Sequence, residues 1–200
     1  EAYTEASLSE VDELYEYSSD NEDSSSTNST TNDSGPNLHT REDTSRLRWI
    51  KNANEIDGCI RTKLTQPIKT GSNSKQIAAT MAAGYVYIFR NKRYPALLKI
   101  GYTDKEILSR KEQLESDCGN KLETIYHGRR AARNAKRAEA LVHAELSNFR
   151  RDQYCARHNR RHTEWFEITA EQALHVVRRW TDFIRQAPYD ENGDLKQYWA

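Results

Sequence analysis

The sequence predicts an α+β fold: a small domain with a mixed sheet flanked by helices in the order ββαβαβα, behind a disordered acidic N-terminal tail. Three observations predict it. Residues 1–40 contain ten Asp or Glu and no Lys or Arg, and the run DNEDSSSTNSTTNDSG within them has no aliphatic residue. Such a stretch buries too little apolar surface to offset its ordering entropy. From Tyr85 onward, apolar side chains alternate with period two over two short runs, as in half-buried strands. The second half then carries two amphipathic helical patterns with a strand-like run, Thr163–Ile168, between them.

Taken in order, residues 41–83 read as a linker in which Arg46–Ile50 forms a short helix and Gln66–Ser74, with Pro67 and Gly71, is irregular. The domain spans 84–186. Tyr85, Tyr87 and Phe89 alternate with Val86 and Ile88 on a first strand. The polar segment Asn91–Pro95 turns the chain into a second strand, Leu97–Gly101. Thr103 or Asp104 caps a helix that carries Arg110 and Leu114 and stops at Gly119, a residue suited to a left-handed C-terminal cap. Leu122–His127 is a third strand. Ala131–Phe149 is a helix with Ala135, Ala138, Leu141, Val142, Leu146 and Phe149 on one arc. Arg150–His162 is a basic loop, and TEWFEI is the fourth strand. Thr169 with Gln172 has the form of a capping box for the last helix, whose apolar stripe is Leu174, Val177, Trp180 and Ile184. The polar residues 187–200 frays as a tail.

The formal charge of zero hides an asymmetry. With the ten tail acids set aside, residues 41–200 hold 30 basic and 20 acidic residues, a net charge of +10. A basic domain of this kind suits a polyanionic partner such as nucleic acid. Three cysteines, Cys59, Cys118 and Cys155, form no disulfide framework, so an intracellular protein, nuclear or cytoplasmic, is expected. No run of about 18 apolar residues is present to span a membrane. The chain begins at Glu1 rather than methionine, so a fragment or processed product is expected.

Five ordered matches resemble the GIY-YIG endonuclease superfamily. They are Tyr85-Val86-Tyr87 on the first strand, Lys99-Ile100-Gly101 on the second, Arg110 on the following helix, Glu139 in AEALVHAEL, and His162-Thr163-Glu164-Trp165-Phe166 near the end. The combination is similar to the phage and fungal branch with KIG in place of YIG, including fungal meiotically up-regulated proteins. Two departures stand out: Tyr85 occupies the first glycine position, with Gly84 displaced by one, and Lys99 replaces the second tyrosine. The resemblance implies metal-dependent hydrolysis of phosphodiesters, with DNA ahead of RNA as substrate. It assigns Tyr87 as base or water-orienting group and Arg110 to transition-state charge. It assigns Glu139 to Mg²⁺ or Mn²⁺. A phenol with an ordinary pKa near 10 needs help to act as a base. Lys99 would supply that cation or contact the phosphate directly. The guanidinium of Arg110 suits phosphate oxygens by its forked geometry.

Cys155-x-x-His158-x-x-x-His162 has the spacing of a zinc site, and Cys118 at the end of the Arg110 helix is a candidate fourth donor. The alternative is a core thiol with two histidines in a basic loop. A polar loop of that length needs something to order it, which favours Zn²⁺. His127 is a reserve ligand, and His143 follows Glu139 by one helical turn. Arg129, Arg130, Arg133, Lys136, Arg137, Arg150, Arg151, Arg157, Arg160 and Arg161 form a basic envelope for phosphates. Three readings therefore compete: a metal-dependent endonuclease, a catalytically silent nucleic-acid-binding module on the same fold, and a protein-interaction domain served by the acidic tail. The sequence sets no oligomeric state.

Overall fold

Alternation of apolar side chains in Ala83–Asn91 (β2) and Leu97–Thr103 (β3) makes these strands the centre of the fold. In the computed structural model, which describes residues 44–46, 50–68 and 83–200, both faces of β2 are covered. Val86 and Ile88 join one core with Leu98, Ile100, Ala138, Val142, Phe166 and Val177. Tyr87 and Phe89 join a second with Leu97, Ile107, Leu114, Leu122 and Trp165. Full burial of each such side chain stabilises the fold by roughly 1.5–3 kcal/mol, so β2 is anchored from two sides. The acidic tail expected at 1–40 lies outside the described residues, as do residues 41–43, 47–49 and 69–82 of the expected linker.

The remaining elements follow in chain order. Thr44–Arg46 (β1) precedes the helix Ala53–Thr65 (α1). The short helix expected at Arg46–Ile50 falls mostly on residues 47–49, outside the described ones; Arg46 ends β1, and a helix that the sequence reading did not include starts after Asn52. There Asn52 and Glu55 exchange the two hydrogen bonds of a capping box, which sets the boundary. After β3 come Ile107–Cys118 (α2), Leu122–His127 (β4), Ala132–Arg133 (β5) and Ala135–Glu145 (α3). Arg150–Cys155 (β6), Arg160–Glu167 (β7) and Ala170–Arg185 (α4) complete the order. Among the described residues the sheet runs β1-β6-β7-β3-β2-β4, with β5 paired to β2. The α+β class is as expected, and every recorded pairing is antiparallel, narrower than a mixed sheet. Helix α2 carries the chain across β2, so β3 and β4 flank β2 and both oppose it. Helices α3 and α4 cover one face of the sheet, α1 packs on α3, and α2 lies over the other face.

Several boundaries differ from the sequence reading for identifiable reasons. The cap of α2 is Glu106, whose carboxylate accepts from Ser109 N, rather than Thr103 or Asp104. Thr103 instead closes β3, its hydroxyl accepting from Lys105 N. Gly119 ends α2 in the left-handed region at φ 72°, as its position suggested. The long helix expected from Ala131 begins only at Ala135, because Ala132 and Arg133 pair with Gly84 and Ala83 and Asn134 turns at φ 63°. Beyond Glu145 the chain tightens into a 3₁₀ turn, Leu146–Phe149.

The largest correction concerns Arg150–His162, expected as a basic loop. It is most of a β-hairpin, with Cys155 opposite Arg160 and Gln153 opposite His162. Asn159, at φ 47°, supplies the left-handed turn residue, and its carboxamide accepts from Tyr154 Oη at 2.8 Å. Both strands are polar on both faces here, so no hydropathy alternation reveals them.

The C-terminal stretch also differs from a fraying tail. Tyr189 is buried, its hydroxyl donates to Leu64 O at 3.0 Å, and Ile68 N donates to Gly193 O at 2.7 Å. Arg137 donates to Gln66 O at 2.8 Å while its guanidinium lies 5.3 Å from the Tyr189 ring centroid. This small cluster ties the segment after α1 and the C-terminal stretch to α3. Tyr189→Ala should therefore destabilise the protein by about 3 kcal/mol or more. Urea unfolding followed by circular dichroism measures it, and a loss near zero is the outcome expected of a loose tail.

Candidate functional site

The site arises where two strands separate. The β3–β7 ladder runs only from Leu97–Glu167 to Lys99–Trp165. Beyond that point β3 continues to Thr103 along β2, while the Arg160 end of β7 pairs with β6. Backbone groups of β3 past Lys99 thus lose their strand partner on that side, and unpaired groups of this kind must be satisfied otherwise. Helix α3 satisfies them. Glu139 Oε1 accepts from Tyr102 N at 3.0 Å, and His143 donates from Nε2 to Ile100 O at 2.9 Å. Glu139 and His143 are one helical turn apart and so share a face.

On the opposite side of the sheet, Tyr87 lies across from Gly101. A Cβ at Gly101 would fall 2.4 Å from the Tyr87 hydroxyl, so only glycine leaves room for the phenol. Gly84 serves the same purpose for Tyr102, whose ring would sit 2.3 Å from an added Cβ. Tyr87 stacks on Phe89 at 4.3 Å between centroids and is 1 % exposed. Burial pushes its pKa up to about 12, against the pull of Arg110, which lies beside the phenol. The resting residue is a neutral phenol.

Lys99 is 4 % exposed in an aliphatic strand and requires a counter-charge. Glu164 supplies it, with Oε2 2.6 Å from Lys99 Nζ. Burial alone would raise the pKa of Glu164; the Lys99 charge and hydrogen bond outweigh it and hold the carboxyl below its usual value. The cation acting on Tyr87 is accordingly Arg110, while the Lys99 charge is committed to Glu164. Glu139 behaves differently: burial, aided by the Glu164 charge, raises its pKa to about 7 despite the Tyr102 N–H. His143 is driven down to about 4 by burial and is neutral. Arg110 and, more weakly, Glu139 act electrostatically on Tyr87, and Lys99 acts on Glu139. Sequence reasoning left Glu164 out of the site. The signal was the lysine in LLKIG, a buried charge that demands a partner.

Lys99, Arg110 and Glu164 line a cleft of about 440 Å³. Tyr87 and Glu139 are not among its lining residues. The other end of the same cleft is lined by Cys118, His158 and His162. With Cys155 these form a group whose donor atoms all lie within 4.8 Å of one another. Cys118 Sγ is 3.7 Å from His158 Nδ1 and 3.6 Å from His162 Nε2, and Cys155 Sγ is 3.3 Å from His158 Nδ1. Such a set could hold a metal ion. His127 lies apart, its Nδ1 3.4 Å from Gly128 O, and Cys59 sits on α1.

Residues 84–181 match the T5orf172 domain. This phage-associated domain is related to nuclease-type folds, and the match suggests a nuclease-like family with a nuclease-like or nucleic-acid-binding function. It begins at Gly84 and takes in every residue named in the site above. Comparison with curated proteins and with solved structures gives no match. A nuclease-like domain also suggests nucleic acid as partner. Among the described residues no helix is long and apolar enough to cross a membrane.

The basic residues of the T5orf172 stretch divide into two groups. Arg129, Arg130, Arg133 and Lys136 are exposed from the end of β4 to the start of α3. Arg160 and Arg161 are exposed on β7 and line the cleft. Arg151 donates twice to Glu167, at 2.8 and 2.5 Å; Arg150 reaches His143 O at 3.3 Å; Arg137 holds Gln66 O. Arg157 is exposed but donates to Ser116 O at 2.6 Å, at the C-terminus of α2.

The raised pKa of Glu139 carries a stability consequence with a definite sign. The folded protein binds this proton more tightly than the unfolded chain, so ionisation costs stability as pH rises from 4.5 through about 7. Glu139→Gln keeps an oxygen for Tyr102 N–H and removes the charge. Without added divalent cation, it should stabilise the protein by roughly 1–3 kcal/mol at pH 8 and by little at pH 4.5. Thermal unfolding at the two pH values measures the difference; equal effects at both would remove the buried charge as the cause.

Proposed function

We propose that this domain hydrolyses phosphodiester bonds in DNA or structured nucleic acid, with Tyr87, Lys99, Arg110 and Glu139 as its working residues. The observation that supports the reading is a cationic cleft at the parting of β3 and β7, lined by Lys99 and Arg110, with Glu139 held on Tyr102 N and Arg110 acting on Tyr87. The T5orf172 match supports the nuclease-like half of this reading.

In this mechanism Arg110 and Lys99 face the phosphate from the cleft and offset the charge that develops on its oxygens. Lys99 does so with Glu164 holding its ammonium in place. The Tyr87 phenol orients the attacking water by hydrogen bonding; with a pKa near 12 it is a donor at neutral pH, and Arg110 is the group that eases loss of its proton. A divalent cation fits Glu139. Only its Oε1 is engaged by Tyr102 N–H, and the cost of burying the carboxylate, seen in its raised pKa, would be offset by a cation. Glu139 would hold Mg²⁺ or Mn²⁺, which when bound acidifies water and neutralises phosphate charge.

A second reading, a nucleic-acid-binding domain without cleavage, is favoured by one observation: Tyr87 is 1 % exposed and does not line the cleft. The two separate cleanly. Duplex, nicked and branched DNA and structured RNA are incubated with the full chain in Mg²⁺ or Mn²⁺, and binding is measured in parallel. Hydrolysis should appear and fall by about 100-fold or more in Glu139→Gln and in Arg110→Ala. Binding without cut products on any substrate would establish the second reading instead.

A further inference from the structure

The geometry points to a structural zinc site formed by Cys118, Cys155, His158 and His162, which fastens the C-terminus of α2 to the β6–β7 hairpin. The inference stands apart from the catalytic reading and survives if that reading fails. Four observations carry it. The donors are two thiols and two imidazoles, the borderline-soft set that zinc takes in closed tetrahedral sites. Zn–S and Zn–N bonds of about 2.3 and 2.0–2.1 Å at tetrahedral angles place neighbouring S and N atoms about 3.6 Å apart. The observed S···N separations of 3.3, 3.6 and 3.7 Å bracket that edge. The donors also come from three separate places in the chain: the last residue of α2, the end of β6 with the turn after it, and β7. Chance surface histidines do not aim at one point from such different elements.

The fourth observation is what the hairpin lacks. Residues 156–161 are all exposed, and apolar burial holds the β6–β7 turn only through Cys155. Between α2 and the turn, Arg157 donates to Ser116 O, and its guanidinium lies within 3.0 Å of where a Gly119 Cβ would be. One charged contact at a helix C-terminus is worth at most about 1–2 kcal/mol. A metal that links four side chains supplies the missing stability. On binding, each thiol releases its proton to solvent and each imidazole donates a ring-nitrogen lone pair, so two protons leave and the Zn²⁺–thiolate–imidazole centre is neutral. That neutrality suits the crowded cations Lys99, Arg160 and Arg161, which line the same cleft.

The test uses the full chain, purified under reducing conditions and dialysed against ZnCl₂ and then metal-free buffer. Elemental analysis should give about one zinc per chain, and replacement by Co²⁺ should give the intense visible bands and thiolate charge-transfer absorption of a tetrahedral thiolate site. Stripping the metal with a chelator should lower the thermal midpoint by about 5 °C or more. Cys155 is buried, so its replacement can disturb folding for other reasons. The deciding variant is therefore the exposed His158→Ala, which should weaken zinc retention at least tenfold while keeping the far-ultraviolet circular dichroism of the parent. Cys59→Ser should retain zinc fully. Substoichiometric zinc in the parent after loading, or His158→Ala and Cys118→Ser that both bind zinc as the parent does, would overturn the proposal.

Discussion

The separation of β3 from β7 after Lys99 is the constraint on which the rest of this structure depends. A strand that leaves its neighbour exposes backbone donors and acceptors, and in a buried setting each costs about 1–3 kcal/mol if left without a partner. Here the deficit is met by side chains of α3 rather than by water or another strand. Glu139 takes Tyr102 N–H and His143 gives a hydrogen bond to Ile100 O. The same solution places an acid within electrostatic reach of Glu164, Lys99 and Tyr87. Fold maintenance and site construction are therefore one arrangement. The Glu139 head group is accordingly aimed at a strand edge.

Two competing electrostatic effects decide the state of each ionisable group, and the balance differs from one to the next. For Tyr87, desolvation exceeds the attraction of Arg110, and the phenol stays protonated. For Glu164 the order reverses, because Lys99 touches it directly at 2.6 Å, and the carboxylate stays ionised. Glu139 has only a backbone N–H at hydrogen-bonding distance and more distant cations, and burial prevails. Its neighbour Glu164 adds to the penalty. The site thus holds one ionised acid committed to a lysine and one acid that titrates near neutrality. Of the two, Glu139 has the greater need of a cation.

The central strands, the Gly119 stop, the Thr169 cap and the last helix were legible in the sequence, because each rests on a local rule: alternation, left-handed glycine, or a side chain bonded to a nearby N–H. Thr169 indeed accepts from Gln172 N at 3.2 Å. The ordered motif positions also pointed to Lys99 and Arg110, which line one cleft, while Tyr87 and Glu139 are not among its lining residues. What escaped was decided by tertiary contacts. The β6–β7 hairpin is polar on both faces and leaves no periodic trace. Glu164 acquires its role only because Lys99 is buried opposite it. The C-terminal residues look like a tail in composition, yet Tyr189 finds Leu64 O across 125 positions of chain. Arg151 reads as a surface cation and is spent on Glu167.

One helix connects the two ends of the cleft. Arg110 lies in the first turn of α2 and Cys118 is its last residue, eight positions or about 12 Å along the axis. Ile107 and Leu114 seat the helix in the second core, which includes Tyr87 and Trp165. A rigid helix seated in this way transmits the position of its C-terminus to its first turn. What fixes Cys118 against the hairpin therefore also bears on where the Arg110 guanidinium stands relative to Tyr87. The hairpin is constrained in the same manner, since His162 and Glu164 are two residues apart on β7, and Glu164 holds Lys99. Both walls of the cleft, the helix with its arginine and the strand with its glutamate, meet at the Cys–His group. The width of the cationic cleft is thereby set at a point well away from Arg110.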